Sequence, residues 1–250
     1  MKYCFGVDIG GTTVKMGLFE ETGDIVEKWE IVTRTEDEGK AILPDIAAAI
    51  EEKLKVCKIG GEDVLGVGVG VPAPVTEAGV VNGSANLGWK YKEVKRELEE
   101  LTGFSVQVGN DANVAALGEM WKGGGAGQKN MIMVTLGTGV GGGIIIDGKI
   151  YSGFNYKGAE LGHVGMVYGG VPCTCGRIGC IEAYCSVSAL IRMTRESMQL
   201  NAKSKMWELA QNSLDHVNGR TAFDAMRAGD EAASRVVDQY IDYIAYASAE

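Results

Sequence analysis

The chain is poor in proline and histidine, with four and two in 250 residues, and its 24 Lys and Arg are outnumbered by 33 Asp and Glu. The net charge of −9, without a basic cluster, excludes nucleic acid and acidic membrane surfaces as partners, because both would repel the chain. The longest uncharged stretch is the 17 residues between Lys129 and Asp147. Five of them are glycine, so the stretch reads as two buried strands around a glycine-rich turn and not as a membrane span. Tyr3 to Ile9 is strand-like and follows no charged n-region, apolar h-region or cleavage site, so the expected location is the cytoplasm. Six cysteines, three of them crowded within eight residues, suit a reducing compartment better than a disulfide scaffold. No GK[ST] follows either glycine cluster, which excludes a Walker A loop.

At a prior of about one domain per 150 residues, the length predicts two domains. No low-complexity tract separates them, and the short glycine-rich connection at Gly123 to Gln128 is the expected boundary, giving domains 1–122 and 123–250. Three β-rich runs open the chain, YCFGVDIGG, TTVKMGLFE and IVEKWEIVT, and tight turn signals make them an antiparallel meander. Helical periodicity follows over Asp45 to Val56, then a buried strand over Val64 to Val71. A helix over Glu93 to Leu101, a strand over Ser105 to Val108 and a helix over Asp111 to Trp121 complete a β-β-β-α-β-α-β-α order. From Met131 the pattern restarts with strand MIMVTL, turn GTGVGG, strand GIIID and a short strand after Gly148. Asp8-Ile-Gly-Gly-Thr and Leu136-Gly-Thr-Gly lie about 127 positions apart, as an ancient duplication would leave them. Helices are expected over Ser186 to Met198, Lys203 to Asn212, Ala222 to Met226 and from Asp230 onward.

Four groups of residues carry chemistry. The first is the turn Gly10, Gly11, Thr12, Thr13, whose backbone N–H groups could approach phosphate, with Asp8 placed to organise Mg²⁺ and Lys15 to reach phosphate oxygens. An ordinary hairpin fits the same residues. The second turn, Gly137, Thr138 and Gly139, makes two loops able to clasp the phosphates of a nucleotide. Third, Asn110 and Asp111 stand where a strand runs into a helix, and both a helix cap and a general base for a substrate hydroxyl fit that position. Fourth, Cys173, Cys175 and Cys180 with His163 can supply a closed tetrahedral shell for zinc, structural because no position stays open for water. Cys185 or His216 could take the place of His163. Glu160 and Glu182 flank these ligands and are suited to accept hydrogen bonds from the hydroxyls of a polyol or sugar. The Tyr240, Tyr243, Tyr246 series has the spacing of a packed helix face.

DIGGTTVK, GNDANVAALGE, LGTGVGGG and GAELGH…CTCGRIGCIE together resemble the ROK family of bacterial sugar kinases and related repressors, within the actin/hexokinase superfamily, and are similar to its glucokinases. The resemblance covers Tyr3 to about Ser188. It implies an α/β fold of two ribonuclease H-like domains with a cleft between them. It implies Asp111 as general base, Asn110, Glu160, His163 and Glu182 lining a hexose site, zinc on His163, Cys173, Cys175 and Cys180, and Mg²⁺ with ATP. Glucose is the expected hexose, since three cysteines depart from the fructokinase-like branch, with another hexose or an N-acetyl amino sugar as the near alternative. A homo-oligomer, dimer or tetramer, is expected. The repressors carry a helix-turn-helix segment before the first turn, whereas seven residues precede Asp8 here. Two departures stand out. Gly70-Val71-Pro72-Ala73 replaces the family's G-x-P-G, and the apolar stripe from Ala233 to Ala245 runs out at Glu250 with no further strand or adenosine-holding glycine segment, so the second domain is expected to be incomplete.

Overall fold

A computed structural model describes residues 1–249, and they form an α/β protein. Strands β1 (Tyr3–Ile9), β2 (Thr13–Glu20) and β3 (Ile25–Val32) form the expected antiparallel meander. After a short turn of helix, α1 (Glu36–Gly39), α2 (Ile42–Cys57) buries Ile42, Leu43, Ile46 and Ile50 along one face. Strand β4 (Val64–Val71) pairs parallel with β1; two short strands, β5 (Val80–Val81) and β6 (Lys92–Glu93), precede α3 (Val94–Thr102), β7 (Val106–Asn110) and α4 (Asp111–Lys122). The sheet order β3-β2-β1-β4-β7 has three antiparallel strands followed by two parallel ones, the ribonuclease H-like arrangement. Alternate side chains of β1, β2 and β4 pack against α2 and α3 in one core that includes Phe5, Leu18, Val69, Leu87, Trp89 and Leu98. This register brings the C-terminal ends of the parallel strands to one edge, with Asp8 opposite Gly70 and Val71 opposite Asn110. Open α/β sheets bind ligands at that edge.

Strands β8 (Met131–Leu136), β9 (Val140–Ile146) and β10 (Lys149–Ile150) form a second sheet in the order β10-β9-β8, the order of the first meander. Helices α5 (Glu182–Cys185), α6 (Val187–Leu200), α7 (Met206–Leu209), α8 (Thr221–Arg227) and α9 (Glu231–Ala249) follow. A separate core holds Leu190, Met193, Met198, Met206, Val236, Val237 and Tyr240. Tyr240 is buried and donates to the Cys185 carbonyl oxygen at 2.9 Å, and Tyr243 packs on Tyr184, so the tyrosine series is packing, with Tyr246 left exposed. No helix among the described residues is long and apolar enough to cross a membrane.

The structure departs from the sequence expectations in three places. Residues 203–212 are not one helix: only Met206–Leu209 is helical, because Gln211 and Asn212 take positive φ and the Asn212 amide folds back onto the Trp207 carbonyl. Val140 to Gly142 lie inside β9 and not in the turn before it. Compact packing also divides the chain differently from 122/123, into Met1–Met133 with Gly143–Ala159, and Val134–Gly142 with Glu160 onward. Residues 143–159 join the first unit because Gly143 lies against Ala112 and Ala116, and because the Asp147-Gly148 turn donates to Asn130 Oδ1 and the Lys129 carbonyl, each at 2.8 Å.

Candidate active site

In the first unit, the β1–β2 turn is held by its carbonyls. Gly10 accepts from the Thr33 hydroxyl at 2.7 Å and Thr12 from the Thr33 amide at 2.9 Å, while Gly10 N–H closes the turn onto Thr13 O at 3.0 Å. Gly11 and Thr12 are exposed, and their amides carry no hydrogen bond among the described residues. Two adjacent N–H groups without partners are the kind of donors that successive backbone amides offer to an anion. Asp8 and Lys15 are exposed and directly opposite each other across the strand pair. Both therefore sit beside this turn.

Of the two roles considered, the helix cap falls to Asn110. Its Oδ1 accepts from the Asn113 amide at 3.2 Å, and its Nδ2 donates to the Ala73 carbonyl at 3.4 Å. Asp111 opens α4 exposed, with Oδ1 accepting from the Ala112 amide at 2.8 Å. A carboxylate in the first helical turn is stabilised as an anion by the helix dipole. The strand-end glycine Gly70 leaves its neighbours room, since a Cβ there would lie 3.5 Å from the Asp111 Cα and 3.8 Å from Asp8 Oδ1. Ala73, the departure from the family turn, is buried with its methyl in the core.

In the second unit, His163, Cys173, Cys175 and Cys180 place their four ligand atoms within 4.8 Å of one another. Cys185 and His216 are not part of this group. A tetrahedral ion with Zn–S near 2.3 Å and Zn–N near 2.0 Å requires edges of about 3.8 Å between sulfurs and about 3.6 Å between sulfur and nitrogen. The structure has 3.8 Å from Cys175 Sγ to Cys180 Sγ and 3.7 Å from Cys173 Sγ to His163 Nδ1. The donor set therefore fits such an ion. Burial, with the neighbouring thiols adding to it, pushes the Cys180 thiol up to about 11, so the thiol keeps its proton until a cation displaces it. The loop geometry explains its glycines: Gly179 has φ +80°, and a Cβ there would overlap the Val167 carbonyl oxygen. Arg177 Nη1 donates to the His163 carbonyl at 3.1 Å and ties the thiol knuckle to the histidine turn.

With Nδ1 facing Cys173, the His163 Nε2 lies on the other side of the ring. Glu160 stands at the N-cap position of the short turn Leu161–His163, makes no side-chain cap bond there and is exposed. Glu182 begins α5, with Oε1 accepting from Thr174 Oγ1 at 2.8 Å and Oε2 from the Val140 amide at 3.0 Å. The second glycine turn is held by α6: Gly137 O accepts from the Val187 amide at 2.8 Å and Thr138 O from the Ser188 hydroxyl at 2.7 Å. The Thr138 and Gly139 amides carry no hydrogen bond among the described residues, as in the first turn. His163, the three thiols, Glu182 and Gly137 to Gly139 thus belong to one connected network, whereas Asp8, Gly10 to Thr13, Lys15, Asn110 and Asp111 are grouped by the first sheet.

Sequence reasoning passed over three residues. Thr174 sits inside the CTCG motif and Ser188 at a helix start, where a hydroxyl next to a glycine turn was a usable signal. Asn86 left none: its backbone oxygen lies 3.3 Å from the position of a Cβ on Gly11, and the buried anchors Leu87 and Trp89 hold it there.

Two glycine turns with unpartnered amides, a helix-start carboxylate at a strand end and a Cys3His knuckle on an α/β scaffold are the features of the sugar-kinase class. The chain belongs to the ROK family, whose pattern matches residues 4–250. The glucokinase of Halalkalibacterium halodurans is 40% identical over 250 residues, 99% of this chain and 76% of the relative. A ROK family glucokinase from Streptomyces griseus, solved in complex with glucose and AMPPNP, is 34% identical with a TM-score of 0.79 over 96% of this chain and 76% of that one. The N-acetylgalactosamine kinase AgaK of a Shewanella species is 30% identical over 249 residues, 96% of this chain and 74% of the relative.

Proposed function

We propose that the chain is built for ATP-dependent phosphorylation of a hexose, glucose to glucose 6-phosphate. The observation that carries this reading is Asp111, an exposed carboxylate at the start of α4 and the end of the β7 strand. Its role is to accept the proton of the sugar hydroxyl as that oxygen bonds to the γ-phosphorus, while the bond from phosphorus to the β-phosphate oxygen breaks and ADP leaves. Asn110, Glu160, His163 Nε2 and Glu182 hold the sugar hydroxyls. Gly10 to Thr13, Lys15 and Gly137 to Gly139 hold phosphate through N–H groups and one cation. Asp8 would hold Mg²⁺, which neutralises charge on the phosphates when bound. In this reading residues 1–122 supply the base and first turn, and residues 123–250 the second turn and the metal loop.

His163, Cys173, Cys175 and Cys180 would hold zinc in a closed, structural shell. The sequence identity to glucokinases favours glucose, and the similarity to an N-acetylgalactosamine kinase makes an amino sugar the second reading. Cytoplasmic placement and a homo-oligomer complete the proposal, the latter decided by light scattering. A coupled assay with ATP–Mg²⁺ over a panel of hexoses and amino sugars tests it, with glucose expected to give the highest kcat/KM. Asp111→Asn should lower kcat by at least about 10²-fold while sugar binding stays detectable by calorimetry. No phosphorylation of any sugar by a chain with an intact C-terminus would sink the reading.

A further inference from the structure

The Glu182 carboxylate is held at both ends by groups that belong to different parts of the second unit. Oε2 receives the Val140 amide at 3.0 Å, the residue that follows the Gly137-Thr138-Gly139 turn, and a Cβ on Gly139 would overlap this same oxygen. The carboxylate therefore lies directly under the turn, and a Cβ at residue 139 would push its oxygen aside. Oε1 receives the Thr174 hydroxyl at 2.8 Å, with Cys173 Sγ at 3.6 Å. Thr174 is itself placed by the thiol knuckle, where the Cys173 amide donates to Arg177 O at 2.8 Å and the Gly176 amide to Cys173 O at 3.0 Å.

We infer that Thr174 is a positioning residue, and that it fixes Glu182 as a strut between the metal knuckle and the second glycine turn. Glu182 then acts on the nucleotide side as well as the sugar side. A carboxylate clamped at one oxygen can rotate about its last bond; clamped at both, it presents one orientation to a sugar hydroxyl and keeps the Val140 backbone, and so the turn, in register. This inference rests on the proposed hexose kinase reading for its kinetic readout but not for its structural one.

The experiment compares Thr174→Val, which keeps shape and loses the donor, with Thr174→Ser, which keeps the donor. Zinc content by elemental analysis and Tm report whether the knuckle survives. Hydrogen exchange of the Val140 amide reports the strut without reference to catalysis. In Thr174→Val, zinc and Tm should match wild type, Val140 exchange should accelerate, and KM for sugar and for ATP–Mg²⁺ should rise together, by roughly tenfold for a lost hydrogen bond to a charged group. Thr174→Ser should restore all three. Unchanged Val140 exchange in Thr174→Val, or a loss of function that follows lost zinc, overturns the inference. A chain with an intact C-terminus that phosphorylates no sugar overturns the hexose kinase reading instead, and the exchange measurement still decides the strut.

Discussion

Replacing Gly143 with alanine tests how the fold aims Asp111. A methyl group at this position in β9 would lie 2.5 Å from the Ala116 Cβ and 2.8 Å from the Ala112 carbonyl oxygen, both on α4. Carbon atoms in contact settle at about 3.5–4.0 Å, so the helix must back away from the strand by about 1 Å. Overpacking of this kind costs about 1–3 kcal/mol, and at about 2–4 °C per kcal/mol the Tm should fall by several degrees. Asp111 is the first residue of α4 and moves with it. A displacement of about 1 Å at a reacting group can cost about 10²-fold in rate, so kcat should fall far more than the modest loss of stability suggests. Ala116→Gly removes the carbon that the new methyl meets. Combined with Gly143→Ala it should recover part of both losses, although alone it weakens the helix by about 1 kcal/mol. Thermal unfolding and the coupled kinase assay measure the two effects on the same samples. If Gly143→Ala keeps wild-type Tm and kcat, the close approach of β9 and α4 is not what positions the carboxylate.

The remaining predictions concern the second unit. Gly179→Ala should abolish metal retention, because residue 179 has a left-handed φ and its Cβ would overlap the Val167 carbonyl; elemental analysis showing full zinc in that variant contradicts the loop geometry. Burial holds the Cys185 thiol up at about 11 against an ordinary 9.0, so above pH 9 the unfolded chain loses a proton that the folded chain keeps, and stability should fall as pH rises from 9 to 11. Tyr240, which is also raised by burial and then by Cys185, adds to the same trend. The urea midpoint followed across that window should decline in wild type and less steeply in Cys185→Ala; equal slopes refute the assignment to Cys185.

What was legible in the sequence was the chemistry carried by local spacing. Cys173, Cys175 and Cys180 announce a metal knuckle because thiols so close together, set among glycines, make a poor apolar core, and His163 joins them in the structure at the distances an ion requires. The opening strands, the helices packed on them and the start of α4 at Asp111 follow from periodicity and turn residues, which are also local. Glycine is the residue that misleads, because it serves two unrelated ends. Gly137 to Gly139 bend the chain, whereas Gly141 and Gly142, expected in the same turn, lie in the strand with Gly143, which is small because a helix presses on it from residues 112 and 116, a partner no local pattern reveals. Glutamate shows the same divide. Glu182 reads as a sugar ligand from its neighbours in sequence, yet its Oε2 is committed to an amide 42 positions earlier. A carboxylate that must hold one hydrogen bond to the backbone cannot swing freely toward a ligand, so the site gains orientation from contacts that sequence spacing does not encode. Thr174 and Glu182 therefore link the knuckle to the second glycine turn, and breaking that link should loosen the Val140 amide while the knuckle itself stands.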